Sequence, residues 1–333
     1  LFIAFSSGIG WLPPFSNLVG FDSPIDRWQP EAITYLSLYL NPLFLASMTL
    51  QVLILHHLLE SVGSSERSSA LKAGGWGFLL ALIHGYDIIS LGVVWALYLI
   101  YQFRTNSKES TAATLKNTLV AGAITLPPAL FMYLQLKSNS VFRQRVEVQT
   151  LTGSPLWILL GYGLTLGLAL YAISRNRKHQ ASSETQASFA PFLTLWMIGN
   201  TLAAYLPFPF QRKMLQGTHL PIAILAALGI CSLLEAKPKP TYRIGLVLTT
   251  LLLSISNLAF LYRDCTNNAA GLVQTGQHRP YLLRGEVEAL DWIKQNVPKT
   301  EAVQPLPWIK ALQKPDGKMG TTISDMTLAC YLP

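Results

Sequence analysis

The sequence predicts an all-α polytopic membrane helix bundle of about 7–9 membrane segments, one of them either re-entrant or an ordinary span. The start of a small C-terminal α/β extracytoplasmic domain is expected to follow. Three observations lead there. Half of the residues are hydrophobic and only 13% are charged, where a soluble chain carries about a quarter; mean hydropathy is +0.34. Windows of roughly 20 apolar residues recur, each able to cross about 30 Å of hydrocarbon. From Arg263 onward the composition turns soluble in character, which sets a membrane domain over 1–262 and a soluble one over 263–333. The chain begins inside an apolar run at Leu1 and stops at LACYLP, and reads as a piece cut at both ends.

Along the chain, residues 1–20 form a partial span that leaves through GIGWLPPF, where Gly and Pro punctuate. Residues 21–40 are polar and then amphipathic, with Trp28, Tyr35 and Tyr39 suited to a membrane interface. Spans are expected at 41–59, near 117–135 with Pro127-Pro128 as a kink, and at 155–174, 189–205, 219–234 and 244–262. Residues 60–74, 102–116 and 136–154 read as loops. Residues 76–101 are apolar but interrupted by His84-Gly85-Tyr86-Asp87. An amphipathic helix follows at 281–297, ended by Pro298, and then a β-like piece, EAVQPL. Cys231 reads as a small core residue, while Cys265 and Cys330 either pair or stay free.

Charge orients the spans. The short turns RNRKH and KPKPTYR are basic and therefore cytoplasmic. Alternation places 206–218, 136–154, 21–40 and the C-terminal tail outside. Loops 60–74 and 102–116 then share the inner face, so 76–101 must return to its own side. Twenty-six residues are too few for two spans of about 20 each. Either they form two half-helices turning at His84–Asp87, or they are one span and a loop is misplaced. The net charge of +8 is accounted for by such loop Lys and Arg, and no nucleic-acid partner is expected.

Three polar clusters share the outer side. Asp22, Asp26 and Glu31 are catalytic candidates, as a general base or a divalent-metal contact; the plain alternative is a solvated loop in which Asp22 or Ser23 caps a helix begun by Pro24. His84 and Asp87, three apart, either serve a site (His84 on a phosphate, Asp87 as a further catalytic candidate) or pair structurally. Arg212, Lys213 and His219 are candidates for binding a substrate phosphate, because outer cations run against the positive-inside bias; the alternatives are headgroup snorkelling and, for His219, a wet helix start. Arg143 and Arg145 form a weaker basic patch. His56 and His57 take no role, and no residues are assigned to a metal. Phosphate-cradling Gly-rich loops, Ser-His-Asp signatures and His-x-x-x-His pairs are absent, which leaves soluble-enzyme templates without support.

The stretches GIGWL (8–12), DSPIDRWQPEAITYLSLYLNP (22–42), LIHGYDIISL (82–91), SPLWILLGYG (154–163) and LPFPFQRKMLQGTHLPIAILAALG (206–229) are similar in style to bacterial polytopic membrane proteins related to the GT-C glycosyltransferases. GEVEALDWIKQNVP (285–298) resembles the start of their extracytoplasmic domain. The resemblance implies transfer of sugar from a polyprenyl-phosphate donor to an acceptor on the outer face of the bacterial inner membrane. It also implies a bundle with partial helices whose outer loops form the site. The family's acidic motif in the first outer loop has no clear match; it lies upstream of Leu1, or Asp22 and Asp26 belong to a later loop. The implied partners are the lipid-phosphate-linked donor and membrane lipids, with Arg212 and Lys213 on the donor phosphate. The alternatives are a non-catalytic transporter and a structural membrane protein of cell-envelope glycolipids.

Overall fold

A computed structural model describes residues 2–18, 20–138, 149–178, 184–235, 237–269 and 284–296. Its elements are helical throughout, with no β-strand among the described residues. Short helices α1 (Phe2–Phe5) and α2 (Pro13–Ser16) lead into three 3-10 turns and α3 (Thr34–Leu40). The bundle follows as α4 (Pro42–Glu60), α5 (Ser68–His84), α6 (Asp87–Thr105), α7 (Lys108–Ser138), α8 (Pro155–Lys178), α9 (Glu184–Ala203), α10 (His219–Leu234) and α11 (Lys239–Ala269). Helix α12 (Arg284–Asn296) comes last. The chain divides into two compact units, Leu1–Ala259 and Phe260–Pro333. Among the described residues, six helical stretches are long and apolar enough to cross a membrane: α4, α6, α7, α8, Gln211–Leu234, which contains α10, and α11; the protein is a multi-pass helical membrane protein. The expected β-like piece, Cys330, Arg143 and Arg145 lie outside the described residues, as does all that would establish an α/β domain.

Local chemistry sets the helix starts. Asn41 accepts a hydrogen bond from the Leu43 N–H at 3.0 Å, and Pro42 occupies the first helical position, where its missing N–H costs nothing. Gly217 takes a positive φ of 77° just before α10, a backbone state that side-chained residues avoid. Helix α8 is broken at Gly163, with φ 41° and ψ −122°. There the extended segment 6–10 lies against it: Ile9 donates to the Leu160 carbonyl at 3.2 Å, and the Thr165 hydroxyl donates to the Ser7 carbonyl at 2.7 Å. On its other side Ser7 donates to the Leu253 carbonyl of α11 at 2.8 Å.

Several helices are longer than the sequence suggests, and the lengths of α5 and α6 resolve the problem at 76–101. Ser68–Gly74, expected as loop, forms the first two turns of α5, because Ala70, Ala73, Gly74 and Gly77 let that helix lie close on α7. The turn falls at Gly85-Tyr86, between helices of 17 and 19 residues instead of two half-helices. At 1.5 Å per residue these are about 25 and 28 Å long. Gly74 faces Ala121 and Ile124, and Gly77 faces Thr125, so α5 runs parallel to α7. The Trp95 indole donates to the Thr118 hydroxyl at 2.9 Å on the antiparallel α6. Residues 76–101 therefore do return to their own side.

The connections gather at two ends. One end holds 6–41, the Gly85-Tyr86 corner, 149–154 and 204–218, tied by the Thr150 N–H to the Pro209 carbonyl at 2.6 Å and by the Arg212 N–H to the Thr150 carbonyl at 2.9 Å. The other holds 61–67, Asn106-Ser107 and the turn before α11, where Asn117 donates to the carbonyls of Ser61 and Ser64, both at 2.9 Å.

The crossing of α8 and α10 leaves no room at Gly229, where a Cβ would strike the Leu168 carbonyl; at Gly92 a Cβ meets nothing. Gly229→Ala should lower apparent stability in detergent by about 1–3 kcal/mol, read as a fall in the thermal midpoint. Gly92→Ala should not lower it.

Candidate functional site

The acidic loop caps no helix with its side chains, and only part of it meets solvent. Asp22 is exposed, and Ser23 donates its hydroxyl to the Gly20 carbonyl at 2.8 Å, capping no helix. Asp26 and Glu31, by contrast, are folded into the bundle, 0% and 3% exposed. The reason lies in the partners supplied there. Asp26 accepts from the Gly10 N–H at 3.0 Å. Glu31 meets Arg212 Nε at 3.2 Å, and the guanidinium lies over Trp28, 5.4 Å from the ring centroid. The acidic and basic loops, expected as separate clusters, thus neutralise one another. His219 is dry, not a wet helix start: it is 1% exposed. Its ring is 2.9 Å from the Thr34 hydroxyl, 3.4 Å from that of Ser6, and stacked on Tyr162 at 6.1 Å.

A second region of the same end is open. A cavity of about 1290 Å³ lies between the head of α4, the α5–α6 corner, the last turns of α7 and the loop 208–213. Leu43, Ile83, Ile88, Ile89, Met132 and Leu136 line it with aliphatic surface. Phe208 and Phe210 stack at 5.2 Å, and Phe210 packs on Tyr86 at 4.6 Å. Two amines enter this greasy space. Lys213 Nζ sits 4.1 Å from the Tyr86 centroid, and Lys137 Nζ 4.9 Å from that of Tyr133. Among the described lining residues there is no Asp or Glu.

His84 is the titratable imidazole on this cavity wall. Its Nδ1 stands 3.0 Å from Asp87 Oδ2, although the N–H direction leaves the contact short of a formed hydrogen bond. The same Asp87 oxygen accepts from the Gln51 amide at 2.8 Å and from the Ser47 hydroxyl. Asp87 lies in the first turn of α6, where the helix dipole favours an anion. The carboxylate is therefore held from two helices and backs the imidazole against the cavity.

Of the phosphate candidates, Lys213 and His84 line the cavity, while Arg212 and His219 belong to the polar core beside it. Asp22, Asp26 and Glu31 do not bring their oxygens together as metal ligands. Lys137 was missed by the sequence reading, which ended the span near residue 135; its signal is Tyr133 four residues earlier, a helical turn away. Compared with protein-family models, curated proteins and solved structures, the chain matches none of them significantly.

Two expectations follow from the polar core. Burial pushes the Asp26 carboxyl up to about 6, against smaller downward pulls from Ser256, the Gly10 N–H and Arg27. A pKa raised on folding means that the native state binds the proton more tightly. The stabilisation is full below the unfolded value of about 4 and is lost as pH rises through about 6; two units correspond to about 3 kcal/mol. Wild-type protein should gain thermal stability from pH 7.5 to pH 5, and Asp26→Asn should lack that increment. Arg212→Gln strands the Glu31 carboxylate and should destabilise by about 3 kcal/mol. Adding Glu31→Gln should restore most of it in a double-mutant cycle.

Proposed function

We propose that the protein is a GT-C-like membrane glycosyltransferase that takes sugar from a polyprenyl-phosphate-linked donor. The observation that supports this is the cavity itself, with aliphatic and aromatic walls, two amines and no lining acid among the described residues. An isoprenoid chain gains about 25 cal/mol for each Å² of apolar surface it buries. A phosphate at its head meets Lys213, half-buried among aromatic rings, and the exposed Lys137. Arg67, Arg104, Lys108, Arg175, Lys237 and Lys239 belong to the opposite end. By the positive-inside bias that end is cytoplasmic and the cavity opens outside, in a bacterial inner membrane. Alternation of the spans would carry the C-terminal tail outside as well.

In this reading, the acceptor hydroxyl gives its proton to the free ring nitrogen of His84 as its oxygen bonds to the anomeric carbon. The bond from that carbon to the phosphate oxygen breaks, and the phosphate leaves with the electron pair. Lys137 and Lys213 stabilise the charge that develops on it. Asp87 steadies the imidazolium. Arg212 has a different task from the one its sequence suggests: tied to Glu31, it holds the loop that presents Lys213.

A second reading, a non-catalytic carrier of cell-envelope glycolipids, is favoured by the engagement of Asp26 and Glu31 with Gly10 and Arg212. The two diverge at His84. His84→Gln should abolish transfer with binding intact in an enzyme, whereas a carrier binds without turnover in any form.

Binding to nanodisc-embedded protein tests what both share. Wild type should prefer a polyprenyl phosphate over the uncharged polyprenol of equal length, and the Lys137→Gln/Lys213→Gln pair should lose about tenfold of that preference, about 1.4 kcal/mol. Equal binding of phosphate and alcohol by wild type would sink the cavity assignment.

A further inference from the structure

The last turn of α4, at the end of the bundle opposite the cavity, holds a cluster that the proposed transfer does not use. Its sequence is His56-His57-Leu58-Leu59-Glu60. His56 and Glu60 are four apart and His57 and Glu60 three apart, so both imidazoles share a helix face with the carboxylate. Side chains lean toward the helix N-terminus, which carries the Glu60 carboxylate back over the turn that bears the rings. Each carboxylate oxygen serves one ring: Oε1 lies 3.3 Å from His56 Nε2, and Oε2 lies 2.8 Å from His57 Nδ1. The rings are 5.1 Å apart. The three donor atoms all fall within 4.8 Å of one another.

We propose that His56, His57 and Glu60 bind a divalent transition-metal ion of the zinc class. Two imidazoles and one carboxylate form a borderline donor set that suits Zn²⁺, Co²⁺ or Ni²⁺ and not the all-oxygen preference of Mg²⁺ or Ca²⁺. Donors around a tetrahedral ion at about 2.1 Å stand about 3.4 Å apart, so side-chain rotation alone closes the set. The outer shell is present as well. The Ser69 hydroxyl of α5 donates to Glu60 Oε2 at 3.2 Å, fixing the carboxylate from a neighbouring helix. His57 is packed, with 16% of its side chain exposed, while His56 and Glu60 stand open at 58% and 44%. An ion can therefore enter from solvent and keep a water as fourth ligand.

The electrostatics favour a cation over simple pairing. Glu60 is the final residue of α4, where the negative end of the helix dipole disfavours an anion. The carboxylate therefore calls for compensating positive charge beside it. A divalent ion supplies it without requiring a proton. Binding would also tie α4 to α5 through Ser69, at the turn that begins the α5–α6 hairpin.

Tag-free protein in detergent, stripped with chelator, tests the proposal by titration with Co²⁺ at pH 7.5. One equivalent should bind with visible d–d absorption and be displaced by Zn²⁺ but not by millimolar Mg²⁺. His56→Ala and His57→Ala should each weaken binding at least tenfold while eluting like wild type on size exclusion. A second measurement needs no variant: Zn²⁺ should protect His56 and His57 of wild type from carbethoxylation, read by mass spectrometry. Equal Co²⁺ uptake by wild type and the double variant, displacement by Mg²⁺, or modification unaffected by Zn²⁺ would each overturn it. All three readouts are independent of lipid-phosphate binding at the cavity.

Discussion

Every polar group that this chain carries to membrane depth must find its partner within the protein, because hydrocarbon offers none. That constraint organises the first unit. Residues 6–10 and 20–33 are short turns and irregular backbone, yet Ile25, Ile33 and their polar neighbours Ser23, Asp26 and Gln29 are almost fully buried. The segment is tolerated because the helices around it are opened to receive it. The break in α8 at Gly163 accompanies a hydrogen bond from Ile9 to Leu160, and Asn257 of α11 donates to the Phe5 carbonyl at 2.7 Å. An unbroken apolar helix in either place would leave those backbone groups unpaired.

The same requirement divides the polar residues into two populations. Asp26, Glu31, Arg212 and His219 are consumed by the fold: each has a specific partner, and together they close the space beneath the irregular loops. Lys137, Lys213 and His84 instead meet the cavity, where aromatic rings contact their charged or polar ends. Adjacent residues thus fall on different sides of the division. Arg212 is turned to Glu31 and Lys213 to Tyr86, so one position on a 3-10 turn separates the two directions.

The two ends of the bundle also separate two chemistries. The cavity end joins apolar surface to amines, a combination matched to an amphipathic anion. The opposite end joins two imidazoles to a carboxylate at a helix terminus, a combination matched to a metal cation. Between them, α4 carries Asn41 and Phe44 at one end and His56, His57 and Glu60 at the other. One rigid helix therefore contributes to both, with Ser47 and Gln51 holding Asp87 midway.

The sequence by itself determined the membrane class, the helical content and some of the helix limits. His219–Leu234 forms one helix with the expected limits, and the break at Gly85-Tyr86 falls inside the expected interruption. These are local properties: apolar length, proline and glycine, and the cost of polar residues in lipid. The sequence could not show that Ser68–Gly74 joins α5, since its small residues favour helix there only because α7 lies against them. Nor could it show which ions are paired. Glu31 and Arg212 are far apart in the chain, and only their meeting across the bundle shows that the two charges are paired. Burial and pairing are properties of what surrounds a residue, and the tertiary structure alone supplies the surroundings.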